Sequence, residues 1–80
     1  MGASNLILLI AELMDVSPAD IDEGSGSSNI GRWDSQREVE LAMLIEQTYG
    51  VEIGPIELST RFHSVRDIRA LLSSRGIVEE

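Results

Sequence analysis

The chain has 80 residues, which is the size of one domain. Fourteen acids face six bases, all of them arginine, for a formal net charge of −8. That balance repels nucleic-acid phosphates and anionic membranes, and the absence of cysteine excludes disulfides and thiolate metal sites.

Aromatic residues are limited to Trp33, Tyr49 and Phe62, so Leu, Ile, Val and Met must supply most of the core. An acidic surface attracts basic patches on other proteins and speeds encounter with them. It also serves solubility alone.

Asn5 to Met14 is almost wholly apolar, with Glu12 its one charge. The run predicts a buried helix with Ser4 or Asn5 as N-cap. A strand is the competing reading, but ten residues is long for one. The stretch is too short for a bilayer, which takes about 20 residues. It lacks the basic flank and the cleavage site of a signal peptide, so a cytoplasmic protein is expected.

From Asp15 to Gly31 the segment "DVSPADIDEGSGSSNIG" reads as a long loop. Ser17-Pro18-Ala19-Asp20 resembles a capping box with proline at the first helical position, which allows one short helical turn. Val16, Ile21 and Ile30 are the apolar residues available to pin the loop to the core. Loops of this length in small domains are often functional.

Ser35 to Tyr49 predicts the second helix, with Gly50 as a left-handed stop. Ser35-Gln36-Arg37-Glu38 matches the capping box S-x-x-E, with Ser35 as the cap. At 100° per residue, Leu41, Ala42, Ile45 and Tyr49 share a core-facing arc with Leu44 at its edge. Gln36, Val39, Glu40, Met43, Glu46 and Gln47 lie opposite. Val39 and Met43 there are apolar residues among acids and amides. Either they form the contact part of a docking surface, or the short third helix covers them. Gly54-Pro55 marks a turn, and Ile56–Thr60 fits a short third helix. A last helix begins at Ser64 and runs to about Ser74, stopping at Gly76, with Val65, Ile68, Leu71 and Leu72 on one face. The expected fold is all-α: a small bundle of three main helices plus one short helix, with a long loop between the first and second.

Conventional catalytic machinery is missing. A serine nucleophile needs a base, His63 is the single histidine, and no G-x-S-x-G elbow surrounds Ser35. His63 reads as a surface residue on the approach to the last helix. No metal motif occurs, and the glycines of "EGSGSS" are not followed by G-K-[ST], so they make no P-loop.

The stretch Gly31-Arg32-Trp33-Asp34-Ser35-Gln36 resembles the hallmark of the acyl carrier proteins, D-S-L at the start of the second helix with a glycine shortly before it. The W-D-S form is similar to that of discrete carriers of secondary metabolism. The likeness continues through "VELAMLIEQTYGVEI" and "HSVRDIRALL" and covers about residues 4 to 75. It implies a carrier, not an enzyme. Ser35 would be esterified by 4′-phosphopantetheine from coenzyme A through a separate phosphopantetheinyl transferase, with Asp34 and Gln36 beside the arm. Acyl-loading and acyl-accepting enzymes with basic patches would dock on Glu38, Val39, Glu40, Met43 and Glu46, with Glu57 at the edge. Leu41, Ile45, Tyr49, Ile53 and Phe62 would line the space for a long acyl chain. Neither nucleic acid nor membrane is an implied partner, and a monomer is expected. Gln36 departs from the usual Leu, Met or Ile after the serine, and Arg37 stands where many relatives have an acid or a small polar residue.

Overall fold

The computed structural model describes residues 5–77, so Ser4, one of the two expected caps, lies outside the described residues. Within them the chain is all-α: α1 (Asn5–Met14), a 3-10 turn (Pro18–Asp20), α2 (Ser35–Tyr49), α3 (Pro55–Thr60) and α4 (Val65–Ser74). No β-strand occurs among the described residues, and no helix there is long and apolar enough to cross a membrane.

The core follows from the spacing of apolar residues. Leu6, Ile10, Ala11 and Met14 bury one face of α1. Leu41, Ala42 and Ile45 do so on α2, and Val65, Ile68, Leu71 and Leu72 on α4. Trp33 and Phe62 complete the core from the segments between helices. Each fully buried aliphatic side chain contributes roughly 1.5–3 kcal/mol relative to exposure.

α1 ends at Asp15, whose φ of 59° makes it the one described non-glycine residue in the left-handed region. Val16 N–H then bonds to the Ala11 carbonyl at 3.0 Å, the reverse-turn closure of a helix end. Ser17 caps the 3-10 turn by accepting from Ala19 N–H at 3.3 Å.

The expected long loop is an ordered segment seated on α4. Ile21 is buried, and Val16 and Ile30 pack against the core. The loop also supplies the acceptors that the first turn of α4 lacks. Val65 N–H donates to the Ser25 carbonyl (2.9 Å) and Arg66 N–H to the Glu23 carbonyl (3.1 Å). Asp67 N–H donates to Ser64 Oγ (3.1 Å). In return Ser27 N–H donates to the His63 carbonyl (2.9 Å). At Gly26 a Cβ would lie 2.0 Å from that carbonyl oxygen, so only glycine fits. Arg69 Nε and Glu23 Oε2 add an ion pair at 2.8 Å.

Candidate functional site

The start of α2 differs from the expected capping box in both members. Asp34 is the cap: it is extended, and its Oδ1 accepts from Arg37 N–H at 2.9 Å. Ser35 is therefore the first residue of the helix, exposed, and its hydroxyl makes no hydrogen bond among the described residues. Both residues favour cap positions, and the one whose longer side chain reaches the third N–H has taken it. Gln36 is exposed beside Ser35.

Glu38 also departs from the expected arrangement. It is buried, at 6% exposure, and takes no part in an exposed docking face. Its Oε2 accepts from Trp33 Nε1 at 2.9 Å and lies 3.0 Å from His63 Nδ1. Trp33 Nε1 also approaches the Phe62 carbonyl at 3.3 Å. A buried carboxylate needs partners of this kind, and the indole and imidazole provide them. His63 is exposed, as its position implied, and its ring is also engaged. Its ring contacts both Glu38 and, through Nε2 at 2.7 Å, the Ser59 carbonyl. These partners, Glu38 foremost, hold its pKa above the ordinary value against the opposing effect of burial.

Two anchors hold this end of α2 in place. Trp33 is buried directly before the Asp34-Ser35 pair. Arg37 reaches back from α2 to donate through Nη1 to the Leu13 carbonyl at 2.7 Å, filling an acceptor at the end of α1. Arg32 pairs with Asp15 at 3.5 Å, both well exposed.

Further along α2, Val39 and Met43 are 47% and 55% exposed, so the third helix does not cover them. Ile56 on α3 is 77% exposed. Sequence reasoning assigned Ile56 no surface role, and its position after a turn proline gave no sign of one. Glu40 is exposed and makes no hydrogen bond or ion pair among the described residues. Glu46 is half-buried and accepts from Ile53 N–H at 2.8 Å. Glu57 is also engaged within the fold: Oε1 accepts from Gly54 N–H at 2.7 Å, and Oε2 pairs with Arg75. The Gly54 N–H, and after it Arg75, lower its pKa. Of the acids expected on the docking face, Glu40 is thus the exposed one, with Asp34 exposed near it at the helix start, while Glu38, Glu46 and Glu57 are engaged within the fold.

Leu41, Ile45 and Phe62 are fully buried in one core, and Tyr49 and Ile53 pack at its margin. An open depression of about 450 Å³ lies nearby, lined by Glu46, Glu52, Ile53, Gly54, Glu57 and Arg75. Ile53 is the one residue of the expected acyl lining that reaches it.

Chemically, the site offers an exposed primary hydroxyl at a rigid helix start, next to N–H groups without intrahelical acceptors. Beside it runs a face of exposed apolar residues and acids. No family model matches this chain, and no curated protein matches it.

Proposed function

We propose that the protein is a discrete acyl carrier. It holds an acyl, aminoacyl or glyceryl-type unit as a thioester on a 4′-phosphopantetheine arm at Ser35. It passes that unit between biosynthetic enzymes and catalyses no step itself. The setting proposed is the cytoplasm of a bacterium making a polyketide or a related secondary metabolite. This setting rests on the resemblance of the W-D-S segment alone.

The observation that carries the reading is the placement of Ser35. Asp34 does the capping, so the serine hydroxyl at the first helical position stands exposed and unengaged. On modification its oxygen would replace the nucleotide part of coenzyme A on phosphorus. The resulting phosphodiester would lie beside the open N–H groups and the positive end of α2. Trp33, buried behind, and Arg37, tied to Leu13, anchor the helix start that carries Ser35. The arm's thiol answers the lack of cysteine in the chain.

Exposed Val39 and Met43, with Ile56 on the neighbouring helix, support a contact surface for partner enzymes. Asp34, Glu40 and the net charge of −8 supply steering toward basic patches. Leu41, Ile45 and Phe62 are closed in the core, so a long acyl chain would have to part the helices. A small polar unit would remain outside, next to Gln36.

The test is to incubate the protein with coenzyme A and a broad-specificity phosphopantetheinyl transferase and to measure intact mass. A gain of one phosphopantetheinyl unit that disappears in Ser35→Ala supports the reading. No gain favours a small acidic interaction module without a prosthetic group. A gain that survives Ser35→Ala moves the site to the Ser25, Ser27 and Ser28 run, of which Ser27 and Ser28 are exposed and Ser25 is buried.

A further inference from the structure

His63 joins three helices. Its Nδ1 lies 3.0 Å from Glu38 Oε2 on α2, and its Nε2 lies 2.7 Å from the Ser59 carbonyl on α3. Its backbone N–H donates to Asp67 Oδ2 on α4 at 3.3 Å. Both ring nitrogens thus face oxygens that accept from them. An imidazolium donates to both, whereas a neutral imidazole has one N–H and turns a lone pair toward the other oxygen. Either neutral tautomer therefore opens one of the two contacts.

The charged groups that face the ring are Glu38 from α2 and Asp67 from α4, and both favour the protonated form. The Ser59 carbonyl of α3 acts in the same sense, while burial opposes it. Trp33 brings no charge and shares the Glu38 oxygen.

α3 depends on such contacts. It has six residues, none of them fully buried, and a helix this short does not hold itself; Leu58 packs on the core, Glu57 pairs with Arg75, and the buried Phe62 follows its last turn. Glu46 binds the N–H of Ile53 just before α3 starts. His63 binds Glu38 just after α3 ends. The two anchoring glutamates are eight residues apart on α2, about 12 Å at 1.5 Å per residue. α3 therefore runs antiparallel beside α2, fastened near each end.

We propose that His63 is a proton-operated clasp for α3. When charged, it holds the C-terminal end of α3 to α2. When neutral, it loosens the last turn of α3, while buried Phe62, the Glu57–Arg75 pair and the Glu46 tie keep the rest of the helix in place. Ile56 sits at the fixed end, beside the Glu46 tie, so the opening is confined to the last turn around Ser59 and Thr60 and leaves the Val39, Met43 and Ile56 face in place. The clasp is independent of any modification of Ser35 and stands or falls separately from the carrier reading.

The test uses the unmodified chain and nuclear magnetic resonance from about pH 5.5 to about pH 8.5, the window in which histidine titrates. The His63 ring and the backbone amides of Ser59 to His63 are followed together. Amide exchange is corrected for its intrinsic pH dependence. The expected result is opening of these amides that increases about tenfold, the scale of one charge-assisted hydrogen bond. Its midpoint should match that of the ring. Trp33, the single tryptophan, should report the same midpoint by fluorescence. In His63→Gln the response should vanish. Should that variant not fold, Glu38→Gln keeps an acceptor for Trp33 but removes the charge that favours the protonated ring, and should move the midpoint of the response to lower pH. Unchanged amide protection while the ring titrates overturns the inference, as does a response that persists in His63→Gln or keeps its midpoint in Glu38→Gln.

Discussion

Trp33 donates its indole N–H to the buried carboxylate of Glu38, 2.9 Å away and five residues along the chain. The pair ties the last residues of the loop to the first turn of α2, on either side of Ser35. Removing the carboxylate in Glu38→Ala would leave the buried indole N–H with only the longer contact to the Phe62 carbonyl and take from the His63 ring one of its two partners. We expect a loss of about 2–3 kcal/mol, the scale of hydrogen bonds to a charged group. Urea denaturation measures it, and a loss below about 0.5 kcal/mol, as at an ordinary surface position, would be inconsistent with the pairing.

His63 gives the fold a pH dependence with a definite sign. Its folded pKa lies above the ordinary 6.5. Its contribution is therefore fully present below about 6.5 and is lost as pH rises through the folded value. The difference in melting temperature between the protein and His63→Gln should shrink on going from pH 6 to higher pH. A difference that grows instead would contradict the assignment. Glu57 acts in the opposite direction: with its pKa below 4.5, its contribution is present above that value and disappears as pH falls through the lowered one.

Gly26 should tolerate no side chain. The Cβ of Gly26→Ala would meet backbone at the His63 carbonyl, which no rotamer change relieves. The expected cost is about 1–3 kcal/mol, as for overpacking, and more if the loop leaves α4 altogether. Gly31→Ala is the matched control, because its Cβ would meet nothing within 4 Å. Equal thermal stability of the two variants would show that the loop does not sit as described.

Asp15 holds a left-handed backbone conformation that costs a side-chain-bearing residue roughly 1 kcal/mol. Asp15→Gly removes that strain, gives up an exposed ion pair with Arg32 worth little, and makes the unfolded chain more flexible. The balance predicts a small gain, up to about 0.5 kcal/mol, visible as a higher urea midpoint. A clear loss would mean that the Arg32 pair matters more than its exposure implies.

Val39, Met43 and Glu40 should separate stability from partner recognition. Met43→Ser or Glu40→Lys should alter stability by no more than about 0.5 kcal/mol, since both positions are exposed. Both should slow loading by partner enzymes, and the effect of Glu40→Lys should fade as salt rises. Rates that are unchanged at every ionic strength would remove this face from the docking surface.

Helices were the legible part of this sequence because their signals are local. Apolar spacing at three and four residues marked α1, α2 and α4, and Gly50 and Gly76 marked ends where φ is 69° and 79°. What stayed hidden depends on contacts between distant residues. Asp34 and Ser35 are both good caps, and only the geometry decided between them. Glu38 looked like a surface acid because nothing local shows that Trp33 and His63 converge on it. How the polar loop is seated was not readable, because beside local bonds to Asp22 and Asn29 it is held by backbone groups of residues about 40 positions away. At the candidate site, the serine was readable, but which acids remain exposed around it was not.

The seating of residues 23–27 on residues 63–66 also bears on how the chain reaches its native form. Contacts so far apart in sequence close a large loop, and closures of that kind come late in folding. The segment that carries Ser35 lies wholly inside this closure. A peptide containing the loop and α2 alone would thus lack the frame that orients the serine, and an assay on such a fragment would understate what the whole domain can accept.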